Sequence, residues 1–244
     1  TFGARYEKVT DDLTGNYVTA RMYTQIYGFN IPKDIVKAEH NDEFFLPMAL
    51  IKIKPNNWMH VSFSYTNALC RPDYLALVPN TYVNQGLSST TKQYITGNPN
   101  LKPELWTNYD LQFTVFTNEI GLFSVNGFYK KVEDKIWSRT YYRIKGDEVL
   151  PGFSNNDLVS VTETINHEDP GFVKGVELEW QTSFWYLPEP FNYFSLTCNY
   201  TLLKSEIQYP TTRVYTTYEI GSNGKPTAKM FRVDSTVTSR IENQ

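Results

Sequence analysis

The amino-acid sequence predicts an all-β fold, an antiparallel up-and-down transmembrane β-barrel section with short periplasmic turns and long extracellular loops. Three observations predict it. Individual segments alternate apolar and polar residues with period two. The segments run well beyond the ~5–6 residues at which strands of globular domains cluster. The connections between them are strictly short, long, short, long, the asymmetry of a barrel with tight turns at one end and long loops at the other.

Nine strands are expected. The chain opens on Thr1-Phe2-Gly3-Ala4-Arg5-Tyr6, and a first strand is placed at 2–10, a second at 17–27 and a third at 44–54. In the fourth, 58–69, Met59, Val61, Phe63 and Tyr65 oppose His60, Ser62, Ser64 and Thr66. In the fifth, 104–116, Tyr109, Leu111, Phe113 and Val115 oppose Asn108, Asp110, Gln112 and Thr114. The sixth is placed at 121–137. In the seventh, 172–186, Val176, Leu178, Trp180 and Phe184 oppose Glu177, Glu179, Gln181 and Ser183. In the eighth, 192–207, Phe194, Leu196, Cys198, Tyr200 and Leu202 oppose Ser195, Thr197, Asn199 and Thr201; the ninth is 229–241. One apolar and one polar face per segment is what a strand between lipid and a wet lumen requires. Ten residues rising about 3.3 Å each and tilted near 45° cover roughly 23 Å, close to the apolar band of an outer-membrane barrel. The short connections are 11–16, 55–57, 117–120 and 187–191, with turn chemistry such as Pro55-Asn56-Asn57 and Pro188-Glu189-Pro190. The long ones are 28–43, 70–103, 138–171 and 208–228. Tyr17, Tyr27, Trp58, Trp106, Trp137, Trp185 and Tyr186 fall near strand ends, where an interfacial aromatic girdle sits. An odd strand count does not close a bacterial barrel, so 1–244 is expected to be an internal section of a longer product whose signal peptide lies outside it.

Composition narrows the chemistry. Aromatic residues make up 16% of the chain, 18 of them Tyr, which favours strands. With 23 basic against 26 acidic residues, there is no basic footprint for nucleic acid. Cys70 and Cys198 have no neighbouring Cys, and His40, His60 and His167 are scattered, so no metal-ligand spacing is present. The two cysteines read as small apolar side chains, a disulfide being the alternative. No apolar run of 18 residues exists, which rules out a spanning helix and leaves a barrel open.

The segment Gly97-Asn98-Pro99-Asn100-Leu101-Lys102-Pro103-Glu104, followed by Asn108-Tyr109-Asp110, resembles a hallmark of TonB-dependent receptors, in which it leads from a long extracellular loop into a descending strand. Upstream, Leu69-Cys70-Arg71-Pro72-Asp73-Tyr74 with Leu77-Val78-Pro79 is similar to the family's R-P-x-Y…P segment, and Phe45-Leu46-Pro47 to its F-L-P strand start. Gly127-Phe128-Tyr129-Lys130-Lys131 with Asp134-Lys135-Ile136, and then Gly175-Val176-Glu177-Leu178-Glu179, resemble the two strands that follow. These matches keep the family's order over residues 40–205. The resemblance implies a 22-stranded barrel filled by a plug, binding scarce nutrients outside and importing them with energy from TonB. Residues 1–244 then form a partial barrel domain, with plug, TonB box and signal peptide outside it. The implied partners are outer-membrane lipid and lipopolysaccharide, TonB through a region absent here, and a surface lipoprotein or other subunits. No cofactor is implied.

Pro99 and Pro103 are assigned a structural role, stiffening the loop where a strand begins and lacking donors. His60, Asp110, Gln112, Glu177 and Glu179 are expected to face the lumen and a plug rather than to catalyse, since no nucleophile motif or phosphate loop accompanies them. Candidate ligand-binding residues lie in the long loops, where aromatic and basic groups suit sugars, aryl groups or anions: Trp137, Arg139, Tyr141, Tyr142 and Arg143, then Arg213, Tyr215 and Tyr218. The alternative for these is a girdle facing lipopolysaccharide. At the level of function the alternatives to an importer are a scaffold or secretion-complex barrel of the same fold and a soluble β-sandwich binding module.

Overall fold

Period-two alternation becomes a strand only where a neighbour pairs with it, and here neighbours are supplied in sequence order. The computed structural model of the protein describes residues 1–19, 35–84, 92–144, 147–151, 153–154, 157–220 and 225–242. Eight strands among these residues form an antiparallel wall: β1 (Phe2–Thr19), β2 (Ile35–Asn56), β3 (Met59–Cys70), β6 (Glu104–Thr117), β7 (Gly121–Glu133), β10 (Gly171–Ser183), β11 (Ser195–Ile220) and β12 (Pro226–Glu242). Four shorter strands, β4 (Thr81–Asn84), β5 (Lys92–Thr96), β8 (Ile136–Arg143) and β9 (Val159–Asn166), form a second sheet above the wall. That sheet joins the wall where the end of β1 pairs parallel with β4, and its order onward is β5, β9, β8. A helical turn, α1 (Tyr74–Leu77), precedes it. The wall is an open section of a barrel, with β12 at its edge.

The wall is apolar outward and polar inward. On β6, Tyr109, Leu111 and Phe113 are exposed while Thr114 is buried; Ser124 on β7 is buried beside it. Register carries each face across the strands. Ile51, Phe63, Leu111, Gly127, Val176 and Leu202 form one outward row, and Lys52, Ser62, Gln112, Asn126, Glu177 and Thr201 the inward row beside it. Packed apolar cores lie elsewhere, in the extracellular platform: Leu13, Leu77, Val78 and Leu101 in one cluster, Val83, Phe153, Val159 and Val161 in another.

The level at which outward residues become charged gives the strand tilt. On β2 this is Glu43, paired with Lys8; on β10 and β11 it is Lys174 and Lys204. The lysines share a row with Ala49, six residues below Glu43 on β2. The boundary therefore falls by six residues over five strand spacings, about 20 Å against about 24 Å, a slope of about 40°. Barrel strands tilt by that amount.

Several expectations are corrected. The strand expected at 2–10, the turn expected at 11–16 and residues 17–19 of the strand expected at 17–27 are one strand, β1, residues 20–27 lying outside the described residues, and residues 35–41, expected in a loop, pair with 10–16. The wall accordingly has eight strands among the described residues rather than nine. Gly15, which read as a turn residue, permits a close approach instead: a Cβ there would lie 2.2 Å from the Pro79 carbonyl oxygen. The strand at 121–137 breaks at Asp134, whose φ of 52° turns the chain from β7 into β8. The loop at 208–228 is a hairpin, β11 running to Ile220 and β12 starting at Pro226 with cross-strand pairing throughout. The turn at 187–191 lies within a longer connection, 184–194, which contains a 3₁₀ turn at Phe191–Tyr193. Tyr27 lies outside the described residues. Cys70 and Cys198 are free. Among the described residues no helix is long and apolar enough to cross a membrane, which says nothing of strands.

Candidate functional site

Two surfaces carry polar chemistry, the inner face of the wall and the platform above it. On the inner face, Gln112 accepts from Ser62 Oγ at 3.4 Å and donates to Ser124 Oγ at 3.1 Å, and Ser124 lies 3.2 Å from Thr114 Oγ1. Asp110 accepts from Ser64 Oγ at 3.2 Å, and Glu179 from Gln181 Nε2 at 2.6 Å. His60 pairs in register with Thr114, which shares its row with Ser124 and Glu179; Glu177 lies two residues up β10 on the same face. The face is thus a ladder of hydroxyls, amides and carboxylates, suited to a wet lumen and to contact with another polar surface.

The platform is tied to the wall through the segment Gly97–Glu104. Asn98 Nδ2 donates to the Thr164 carbonyl at 3.0 Å, and its backbone N–H to the Ala76 carbonyl at 2.7 Å. Its side-chain oxygen accepts from the Asn100 N–H at 3.0 Å. Pro99 offers its carbonyl to His40 Nδ1 at 2.8 Å, while His40 Nε2 lies 2.7 Å from Asp42. Leu101 and Pro103 are fully buried. Lys102 exchanges two backbone hydrogen bonds with the Asn166 side chain, both 2.8 Å, and Asn166 also donates to the Asp134 carbonyl. The buried Glu104 carboxylate accepts from Trp106 Nε1 and the Ile136 N–H, both at 3.0 Å, with Lys135 Nζ at 3.4 Å. Arg71 reaches Glu7 on β1 at 2.5 Å; Pro72 precedes α1, and Tyr74 is exposed on it. The segment works as a keystone, with Asn98, Pro99, the Lys102 backbone and Glu104 each bonded to a neighbouring element.

β8 projects Trp137, Arg139, Tyr141 and Arg143 to one face, against the hairpin of β11 and β12. Trp137 stacks on Tyr209 with centroids 5.3 Å apart. Tyr141 lies between two guanidinium groups, Arg139 at 5.3 Å and Arg232 at 5.4 Å from its ring centroid. Burial, then the Glu163 carboxylate, push its hydroxyl above the ordinary tyrosine value. Arg139 pairs with Glu163, and Arg232 with Asp147 at 2.9 Å and Asp234 at 3.3 Å. Together Arg139, Tyr141, Arg232, Asp147 and Asp234 line most of a cavity of about 290 Å³. Arg143 is buried and donates to the carbonyls of Asp147, Glu148, Ser154 and Asp157, where it holds the 144–158 chain together. Tyr142 points to the opposite face of β8 and is exposed. Arg213, Tyr215 and Tyr218 lie farther along the hairpin; Tyr215 stacks on Phe231 at 5.5 Å, and none of the three lines the cavity. Arg232, Asp234 and Tyr209 were not legible as site residues, because only non-local pairing brings them beside β8, and Asp147, held beside the end of β8 by local bonds to Arg143 and Ile144, gains its role only from Arg232. Among the described residues no group of three or more His, Cys, Asp or Glu is placed to hold a metal ion.

The family model described as TonB dependent receptor-like, beta-barrel, matches residues 1–233. No curated protein matches the chain. Among solved structures the chain is similar to the ferric enterobactin receptor of Pseudomonas aeruginosa in complex with enterobactin, at 13% identity and a TM-score of 0.48, covering 84% of this chain and 34% of that one. The siderophore receptor of Acinetobacter baumannii matches at 15% identity and 0.46, over 82% and 36%. The hemophore receptor of Serratia marcescens, in complex with its hemophore and heme, matches at 13% and 0.41, over 98% and 48%. The chain spans about a third of the length of the first structures it matches.

Proposed function

This chain belongs to the TonB dependent receptor-like β-barrel family, a family of outer-membrane receptors and transporters rather than enzymes, and from that premise we propose that it is part of an energised importer. In this reading the platform captures a nutrient outside the cell and the inner face of the wall conducts it, with TonB supplying the energy through a plug carried by the complete protein. The observation that carries the reading is the two-faced wall, lipid-compatible outward and hydrogen-bonded polar inward, beneath a folded extracellular platform. Arg139 and Tyr141 of the platform, with Arg232 of β12, are the groups best suited to a polar, aryl-bearing or sugar ligand, since a ring and guanidinium donors meet there. Siderophores, glycans and peptides all present such groups.

The test is uptake by cells carrying the complete gene. Paired replacement of Glu177 and Glu179 by Ala should lower uptake while leaving barrel stability unchanged, because wet lumen groups contribute little to folding. Uptake that persists after TonB is deleted would overturn the importer and leave a passive pore or a scaffold.

A further inference from the structure

Among the described residues, the platform sheet has one face that neither its own core nor the wall covers. Its other face holds Val83, Val159 and Val161 against Phe153 and carries Trp137 and Tyr141 to the hairpin. On the open face Tyr82, Ile95, Thr162 and Thr140 form one row across β4, β5, β9 and β8. Gln93, Ser160 and Tyr142 lie in the next row on one side, and Thr164 and Ser138 in the next row on the other. None of these residues is charged, although 20% of the chain is. Sheet edges that meet only water ordinarily carry Lys or another charge. β8, which ends this sheet, presents Ser138, Thr140 and Tyr142 instead, all exposed.

The placement of the platform decides what passes this face. Leu13 and His40 lie on the inward side of the wall, by alternation along β2 from Lys52 and by register to β1. Leu13 packs on Leu77, Val78 and Leu101, and His40 holds the Pro99 carbonyl. At the far end Trp137 stacks on Tyr209 of β11, and between them Glu104 of β6 accepts from the Ile136 N–H. The platform therefore crosses the inner side of the open wall as a chord, its packed face toward the wall. These joints obstruct the near side. The open face looks away from the wall, toward the axis of the larger barrel, so a solute entering the lumen moves along it.

The chemistry of the face selects that solute. A surface without charge gives no advantage to an anion or a cation. Ser138, Thr140, Ser160, Thr162 and Thr164 set a hydroxyl at every second residue of two paired strands, about 4.8 Å apart across the sheet and about 6.6 Å along it. Each hydroxyl both donates and accepts, as the hydroxyls of a sugar do. Thr140 and Thr162 already lie 3.0 Å apart through their Oγ1 atoms. Tyr82 and Tyr142 flank the hydroxyls, about 16 Å from each other by strand spacing and rise, a span for several sugar rings rather than one. Each offers a ring to the apolar face of a sugar and a phenol to its rim, and both are exposed. We infer that this face binds a neutral oligosaccharide laid from Tyr82 to Tyr142. The inference rests on the importer reading for its place at the lumen, and it adds a site on the opposite face of the sheet from the Arg139–Tyr141–Arg232 cavity.

The complete protein, purified in mild detergent, should be screened on a panel of neutral, uronic-acid-bearing and sulfated oligosaccharides together with a ferric catecholate, and each hit measured by calorimetry. Binding should be confined to neutral oligosaccharides. The double variant Tyr82→Ala/Tyr142→Ala should bind the best of them at least about tenfold more weakly. Thr140→Val/Thr162→Val, which keeps shape and removes two hydroxyls, should weaken it about fivefold or more. Heat-modifiable migration in gels confirms that each variant is folded. Binding of no neutral oligosaccharide, preference for the acidic ones or for the ferric catecholate, or unchanged affinity in the folded double variants overturns the site. Binding without TonB-dependent uptake would leave the site standing and remove the importer, whereas uptake with none of this binding would do the reverse.

Discussion

Gly97 shows how a single residue fixes the platform. A Cβ at that position would lie 1.9 Å from the Val78 carbonyl oxygen, so only hydrogen allows the 97–104 segment to pass beneath α1. Gly97→Ala should therefore cost about 1–3 kcal/mol by overpacking. It should appear as protease nicking in 70–103 while heat-modifiable migration of the barrel is retained. The wall obeys the opposite rule, because its outward side chains meet lipid. Phe113→Arg should cost about 2–4 kcal/mol if the position lies at mid-bilayer, measured by reversible unfolding from lipid vesicles. Gln112→Ala, one residue away on the wet face, should cost far less. Equal effects at 112 and 113 would refute the assignment of faces.

Among the elements, β5 and the 144–158 chain are joined by Lys92 Nζ and Asp157 at 2.7 Å. The Asp157 carboxylate is held below its ordinary range by that hydrogen bond and by the Ser154 N–H. A depressed folded pKa means that the clamp stabilises at pH values above the unfolded aspartate pKa and is lost as pH falls through the lower folded value. Protease nicking within 144–158 should be flat from pH ~7 down to about 4 and rise below it. Lys92→Met should flatten that rise. The strand ends give a topological prediction. Cysteines introduced at Leu75, Ser88 and Asn155 should label on intact cells with an impermeant reagent, Ser88 and Asn155 lying outside the described residues. Cysteines at Asn57 and Asn118 should stay unlabelled, and the reverse pattern would invert the wall.

For the whole molecule, the outward belt running from Phe45 and Tyr6 through Phe63, Leu111 and Val176 to Leu202 is too large an exposed apolar surface for water. The protein should fractionate with outer membranes and need detergent for extraction; recovery in the soluble fraction would refute the barrel. The belt also explains why the packed cores sit in the platform. In the wall, lipid takes the place that a core takes in a globular domain, and only the loops must bury apolar groups against each other.

By itself the sequence determined the wall strands from β3 through β10, their two faces, the positions of most tight turns and the family motifs, because period-two alternation and turn chemistry are local properties of the chain. What only the tertiary structure decided depends on partners far away in sequence. Thr10-Asp11-Asp12-Leu13-Thr14-Gly15-Asn16 has turn composition, yet it is strand because 35–41 pairs with it and Leu13 is buried against Leu77, Val78 and Leu101. Residues 208–228 look like a loop and are a hairpin because each strand completes the other's backbone hydrogen bonds. Arg143 looks like a surface ligand residue until four carbonyls from the following chain converge on its guanidinium. Tyr141 acquires its second guanidinium only when β12 brings Arg232 beside β8. Alternation states which way a side chain points, whereas what waits on that side is set by pairing between strands that the chain itself keeps far apart.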